Sequence, residues 1–222
     1  MAETGARPRV LLLHGIWMRS GITARLDARL QQAGFQVQRF DYASIKSPIS
    51  EHHARLARVI DAEGEPVHLV GHSLGGVIAV DFLRSAHAAA SRVQRVVCLG
   101  SPLRGSHLAR RLNRIKLDKL GLGGARQILI DGLPEWQGDT AIGVIAGEIS
   151  FGLSLILGPL PRPNDGTVAV AETRLPGISD HCTVAASHTA LLFSERAAAL
   201  TAHFLRHGHF ADAAPGPRRG WS

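Results

Sequence analysis

The chain has 222 residues, which is long enough for one domain with a full-size core and too short for two domains of typical size. Its 45% of hydrophobic and 19% of charged residues are typical of a soluble globular protein. The formal net charge of +7 favours contact with phosphates or anionic membrane surfaces. No RNP-like or zinc-finger pattern accompanies that charge, so we expect no nucleic acid as a partner.

The cysteines and the N-terminal segment exclude further classes of protein. Cys98 and Cys182 are too few for a disulfide framework, and nothing pairs them at metal-ligand spacing. Residues 1–8 contain no apolar signal core, and the run from Val10 to Leu13 is too short for a signal peptide or a membrane span. We therefore expect a cytoplasmic protein, with peripheral association to a membrane left open.

Short apolar runs alternate with longer helical patterns along the chain. In chain order the pattern predicts strand Arg9–Leu13, helix Ile22–Ala33, strand Phe35–Phe40, helix Ile49–Ala62, strand Val67–Val70, helix Gly76–Ala90, strands Val93–Leu99 and Thr140–Ala146, strand Cys182–Ala185 and helix Ala190–Leu205. Strands that alternate with helices of this length favour βαβ units and a mostly parallel sheet of about six strands. The sequence therefore predicts a single α/β domain.

Two connections are longer than the others. Residues 104–138 form an excursion that is rich in Arg, Leu and Gly, and residues 147–163 form an apolar loop punctuated by glycine and proline. Long connections in compact domains are usually functional or mobile. We expect one domain over 9–210, preceded by an extension over 1–8 and followed by a disordered tail over 211–222.

A serine stands between glycines where the third strand ends and a helix begins. The stretch Gly71-His72-Ser73-Leu74-Gly75 matches the pattern G-x-S-x-G in its strand–turn–helix context. In this turn the serine backbone is strained, and its hydroxyl is exposed at the carboxyl end of the sheet. The sequence therefore predicts Ser73 as a catalytic nucleophile.

A serine hydroxyl needs a base to become a good nucleophile. His188 follows the last predicted strand and precedes the last helix, so its loop can carry the imidazole to Ser73. His181, which precedes the last strand, is the main rival among the 12 histidines of the chain. We predict His188 as the base.

The base in turn needs an acid that fixes its tautomer. Asp165 follows the strand at Thr140–Ala146 through the apolar loop and precedes His188 in the chain. Asp139 precedes its strand and should lie at the wrong end of the sheet, and Asp131 in the excursion is a weaker alternative. We predict Asp165 as the acid.

A tetrahedral intermediate needs fixed N–H donors for its oxyanion. The amide of Leu74, directly after the serine, is one candidate. The loop after the first strand supplies the other, because Gly15 lets the chain turn over the site and presents the amide of Ile16.

Taken together, the HG pair after the first strand, GHSLGG after the third, and then DG and a histidine resemble the α/β-hydrolase superfamily over about residues 9–206. Within it the chain is similar to small bacterial lipases and esterases. The resemblance implies Ser73, His188 and Asp165 as a triad, with oxyanion donors at Ile16 and Leu74. It also implies two-step acyl transfer without a metal or cofactor, and no large cap domain.

The segments around the predicted site indicate an apolar acyl group. Trp17, Leu153, Leu155, Ile156 and Leu157 are the candidates for an acyl pocket or lid, and 104–138 lies where such families insert lids. We therefore expect an ester hydrolase for lipid-like or medium-chain esters that can meet an anionic membrane surface. Acyl transfer or thioester hydrolysis by the same triad stays open, as does a non-catalytic binding protein on a hydrolase scaffold.

Overall fold

The computed structural model describes residues 7–116 and 122–211. The predicted N-terminal extension over 1–8 and the predicted tail over 211–222 therefore lie almost entirely outside the described residues. None of the helices in the described ranges is long and apolar enough to cross a membrane.

A six-stranded parallel sheet forms the centre of the molecule. Its strands are β1 (Arg9–Leu13), β2 (Gln36–Phe40), β3 (Val67–His72), β4 (Val93–Leu99), β5 (Ala141–Gly147) and β6 (Asp180–Val184). They lie in the spatial order β2-β1-β3-β4-β5-β6. The predicted α/β fold with about six strands is confirmed.

Helices cover both faces of the sheet. They are α1 (Ala24–Gln32), α2 (Ile49–Glu63), α3 (Leu74–Leu83), α4 (His107–Arg114), α5 (Arg126–Asp131), α6 (Ser154–Leu157), α7 (Val170–Thr173) and α8 (Glu195–His207). Short 3₁₀ segments lie at Ser20–Thr23, Ala88–Arg92, Gly123–Ala125 and Thr189–Phe193.

The alternation of side chains along β1 explains why the core has two parts. Leu11 and Leu13 pack into the cluster that contains side chains of α2, α3 and α4. Val10 and Leu12 point to the opposite face and pack with α1 and α8. Because β1 is covered on both sides, it has no polar alternation, as the sequence indicated.

Two helices differ from their predicted bounds by more than two residues. Helix α3 begins at Leu74, directly after the serine, because the turn at Ser73 is tighter than the sequence suggested, and it ends at Leu83, before the predicted end at Ala90. The last predicted helix is divided, since a 3₁₀ segment ends at Phe193 and α8 begins afresh at Glu195. The side chain of Ser194 accepts a hydrogen bond from the amide of Ala197 at 3.2 Å and so caps the new start.

The excursion at 104–138 packs onto the domain where the structure describes it. Helix α4 buries Leu108, Ala109 and Leu112, and the end of this segment leaves Ile115 exposed. Neither described part of the excursion, 104–116 or 122–138, forms a large cap over the sheet.

The order of the strands predicts a crevice at the carboxyl ends of β1 and β3. The chain goes from β1 outward to β2 and then returns to β3 on the other side of β1. In an open parallel sheet, ligands bind beyond the carboxyl ends of the strands at such a switch point. The loop after β1, which contains Ile16, and the turn after β3, which contains Ser73, meet at this place.

Candidate active site

Ser73 lies in a strained turn between β3 and α3. Its φ of 55° and ψ of −121° fall in a region that side-chain-bearing residues rarely adopt. A Cβ on Gly71 would lie 2.3 Å from the backbone nitrogen of Gly76. A Cβ on Gly75 would lie 2.4 Å from the carbonyl oxygen of Leu13. The flanking glycines are therefore required by close approach of the backbone, and they allow the turn that presents Ser73.

Asp165 and His188 form a buried pair on the neighbouring loops. The Nδ1 atom of His188 lies 2.7 Å from Oδ2 of Asp165, and the amide of His188 donates to the carbonyl of Asp165 at 2.9 Å. The other carboxylate oxygen, Oδ1, accepts from the amides of Thr167 at 2.9 Å and Val168 at 2.7 Å. Because both oxygens have fixed donors, the carboxylate is oriented and Nδ1 carries the proton, which leaves Nε2 of His188 as an acceptor.

Ser73 and His188 line the same cavity. This cavity, here called the open cavity, has a volume of about 370 Å³, and its walls include Ile16, Trp17, Phe151 and Leu153. The structure thus brings the predicted serine and histidine to one space, and it places the predicted aspartate behind the histidine.

A smaller apolar pocket adjoins the open cavity and shares Ser73 with it. This pocket, here called the leucine pocket, has a volume of about 50 Å³. Its walls include Leu108, Leu112, Leu129, Leu153, Leu157 and Val168. Helix α4 of the excursion and the loop before Asp165 therefore both contribute to the surroundings of the serine.

The predicted acyl-pocket residues divide into two groups. Trp17 and Leu153 line both spaces, and Leu157 lines the leucine pocket. Leu155 and Ile156 lie on the outer face of α6, where they are 68% and 83% exposed. Within the described residues, neither of these two side chains lines the leucine pocket or the open cavity.

Ile16 and Leu74, whose backbone amides are the predicted oxyanion donors, both line the leucine pocket together with Ser73. Leu74 is the first residue of α3, so its N–H has no partner within the helix. Ile16 lies in a turn closed by a hydrogen bond of 3.3 Å from the amide of Met18 to the carbonyl of Gly15. Within residues 7–116 and 122–211, neither amide donates to another acceptor.

His72 is a buried neighbour of the site that the sequence did not single out. Its Nε2 lies 3.0 Å from the carbonyl oxygen of His188, and the two imidazole rings are 4.6 Å apart. Burial, together with the nearby His188, lowers the pKa of His72 to about 3. The ring is therefore neutral, and its Nε2–H donates to His188 and holds the loop that carries the predicted base.

The alternative residues lie elsewhere. His181 is on β6, where its Nε2 lies 2.8 Å from the hydroxyl of Thr173. Asp131 and Asp139 are exposed, and Asp131 accepts a hydrogen bond from Gln127. Of the three candidate carboxylates, those of Asp165, Asp131 and Asp139, only that of Asp165 lies next to His188.

No group of three metal-ligating side chains in the described ranges is arranged to hold a metal ion.

Comparison with known families agrees with this architecture. A model described as the alpha/beta hydrolase family matches residues 10–218, which is most of the chain. The chain belongs to this family. A search of curated proteins found no match to this hydrolase.

Solved structures similar to the hydrolase include lipases and esterases. The mature lipase BlEst2 of Bacillus licheniformis superposes with a TM-score of 0.71 at 21% identity, covering 92% of this chain and 93% of that one. The metagenomic carboxyl esterase MGS0156 gives 0.63 at 19% identity over 85% and 66% of the two chains. Phospholipase PlaB of Legionella pneumophila gives 0.56 at 17% over 74% and 45%. At these identities the likeness shows the fold alone.

Proposed function

We propose that the hydrolase is a serine carboxylic ester hydrolase. The observation that carries the proposal is the hydrogen bond of 2.7 Å between His188 Nδ1 and Asp165 Oδ2, with the same histidine lining the cavity of the strained Ser73. A serine, a histidine and a carboxylate with these roles perform acyl transfer in several unrelated folds.

The proposed reaction has two steps. His188 Nε2 accepts the proton of the Ser73 hydroxyl as its oxygen attacks the ester carbonyl, and the protonated imidazole then gives that proton to the leaving alcohol. In the second step His188 takes a proton from water, the resulting hydroxide attacks the acyl-enzyme, and the proton returns to Ser73. Asp165 stabilises the imidazolium in both steps and keeps its own charge.

The amides of Ile16 and Leu74 are the proposed donors to the oxyanion that forms in each step. The Leu74 amide lies at the positive end of the α3 dipole, which favours negative charge there. Donors of this kind are typically worth about 3–4 kcal/mol each in the transition state.

The proposed substrates carry an apolar acyl group. The walls of the leucine pocket are mostly aliphatic, and its volume of about 50 Å³ can take only the first few carbons of a chain. A longer chain must continue past Leu153 and Leu157 toward the exposed side chains of α6. This geometry supports medium-chain and lipid-like esters.

A series of p-nitrophenyl esters tests this proposal. We expect kcat/KM to rise from acetate to octanoate by up to about fourfold per methylene, because each buried CH2 contributes about 0.8 kcal/mol. The values should level off where the chain leaves the pocket. Activity that is highest on acetate and falls with every added carbon would contradict an apolar acyl site, and no hydrolysis of any ester by folded protein would contradict the function.

We also propose that a group of exposed apolar side chains beside the site, here called the rim and formed by Phe151, Leu155 and Ile156, meets an anionic membrane surface. Phe151, Leu155 and Ile156 are 68%, 68% and 83% exposed and follow one another on the loop before Asp165. The adjacent helix α4 is basic, and its Arg111 donates to the carbonyl of Leu157 at 2.5 Å. An apolar face flanked by arginines is typical of a surface that lies in a lipid interface.

Sedimentation with vesicles checks this surface. The double variant Leu155→Ser/Ile156→Ser should bind phosphatidylglycerol vesicles at least about tenfold more weakly, since a buried Leu or Ile side chain contributes about 1.5–3 kcal/mol. Phe193→Ser is the matched control, because Phe193 is 48% exposed but lies outside this rim. Equal binding of both variants and the wild type, or equal binding to phosphatidylcholine vesicles, would contradict the proposal.

A further inference from the structure

A second cleft opens beside the open cavity. It has a volume of about 420 Å³, and we call it the basic cleft after its charged walls. Its walls include Trp17, Met18, Arg19, Asp41, Lys46 and Arg55. Trp17 and Met18 also line the open cavity, so the two spaces are neighbours that share a wall.

The topology explains why the basic cleft lies next to Ser73. Strands β1 and β2 are parallel neighbours, with Leu13 paired to Phe40 at their carboxyl ends. The loops that follow them therefore emerge at the same edge of the sheet. The β1 loop supplies Arg19, and the β2 loop supplies Asp41 and Lys46.

The charge balance of the basic cleft favours an anion. The charged residues of its walls are three cations, Arg19, Lys46 and Arg55, and one carboxylate, that of Asp41. Within the described part of the chain, Arg19 and Lys46 form no ion pair closer than 4 Å. Three cations and one anion leave the cleft with a net charge of about +2 for a ligand to neutralise.

The carboxylate of Asp41, on the β2 loop, contacts the segment that follows β1 and forms no ion pair with Lys46. Its Oδ1 accepts from the amide of Ser20 at 3.2 Å and lies 3.5 Å from Nε2 of His14. The Ser20 amide is the main cause that lowers the pKa of Asp41, so this carboxylate stays charged. Burial lowers the pKa of His14, so His14 adds no positive charge of its own at neutral pH.

The position of His188 decides which end of the substrate reaches the basic cleft. The histidine must protonate the leaving alcohol, so the alcohol portion has to lie on its side of Ser73. His188 lines the open cavity, which shares Trp17 and Met18 with the basic cleft, and it does not line the leucine pocket. The acyl chain therefore belongs in the leucine pocket, and the alcohol portion extends toward the cations.

We propose that the hydrolase acts on esters whose alcohol portion carries a phosphate group, and that the basic cleft binds this phosphate. The inference rests on the proposed ester hydrolysis and adds its substrate class. Arginine presents a planar fork of donors that matches phosphate oxygens, and lysine adds a point charge. The −1.5 to −2 charge of a phosphate monoester at neutral pH matches the charge of about +2 in the cleft.

The test compares two esters that differ only in the phosphate. We would measure kcat/KM for 1-octanoyl-glycerol 3-phosphate and 1-octanoyl-glycerol, both below their critical micelle concentrations so that surface binding plays no part. The wild type should prefer the phosphate ester at least about tenfold, in line with a charge-assisted bond of about 1.5–3 kcal/mol. In Arg19→Gln/Lys46→Gln the ratio of the two values should fall toward one.

Arg25→Gln is the matched control, because Arg25 is exposed on α1 and lines neither cavity nor cleft. It should keep the wild-type ratio. A wild-type ratio near one, or a high ratio that the double variant retains, would overturn the proposal. A ratio that Arg25→Gln lowers as much as the double variant would also overturn it, since the preference would then reflect overall charge.

Two further arms separate the ways in which the proposal can fail. Hydrolysis of p-nitrophenyl octanoate with a phosphate ratio near one would overturn the basic cleft alone and leave the ester hydrolase standing. No hydrolysis of any of the three esters would overturn both. Glycerol 3-phosphate should inhibit the wild type more strongly than inorganic phosphate does, and equal inhibition would mean that the cleft binds free phosphate and does not bind the alcohol portion of an ester.

Discussion

Replacing Ser73 by alanine is expected to abolish hydrolysis of p-nitrophenyl octanoate, with kcat lower by about 10⁶-fold. The variant lacks the oxygen that forms the acyl-enzyme, and His188 then has no hydroxyl from which to take a proton. Alanine should tolerate the φ of 55° about as well as serine does, because the strain at positive φ comes from the Cβ atom, which both residues have. The fold should therefore persist, and steady-state kinetics together with circular dichroism would check both expectations.

Ser91→Ala provides the control for this variant. Ser91 is exposed on a 3₁₀ segment, where its hydroxyl donates to the carbonyl of Ala88 at 2.7 Å. Its removal should leave kcat near the wild-type value. Substantial ester hydrolysis by a folded Ser73→Ala protein would mean that another group is the nucleophile.

Asp165→Asn is expected to lower kcat by about 10⁴-fold with little change in structure. Oδ1 of Asp165 accepts from the amides of Thr167 and Val168, so the asparagine oxygen should occupy that position. The NH2 group would then face Nδ1 of His188 and donate to it. This would place the imidazole proton on Nε2, where it cannot accept the serine proton.

Asp131→Asn and Asp139→Asn are matched controls for the acid, because both carboxylates are exposed and lie away from His188. They should keep near-wild-type kcat for the same ester. If either of them lost activity as Asp165→Asn is expected to, or if Asp165→Asn retained it, the assignment of the acid would be wrong.

The fold was predictable because local patterns specify most of it. The observed bounds of β1 and β4 are those that the apolar runs predicted, and β2 begins one residue later than predicted. The glycines around Ser73 identified the turn because close approach of the backbone permits no other residue there. The chain order of Ser73, Asp165 and His188 directed attention to the pair that the structure brings together.

Other features of the site were not predictable because they arise from contacts between distant parts of the chain. His72 and His188 are separated by 116 positions, and nothing in the local sequence indicates the bond between the His72 ring and the His188 carbonyl. The basic cleft joins residues of two loops whose proximity depends on the pairing of β1 with β2.

Covalent labelling with a fluorophosphonate ester tests the central claim most directly, because this reagent phosphonylates an activated serine. After digestion, mass spectrometry should find the phosphonyl group on the peptide that contains Ser73. The Ser73→Ala variant should take up none, and Asp165→Asn should be labelled far more slowly than the wild type. Failure of the folded wild type to be labelled, or a label on another residue that persists in Ser73→Ala, would contradict the proposed serine hydrolase.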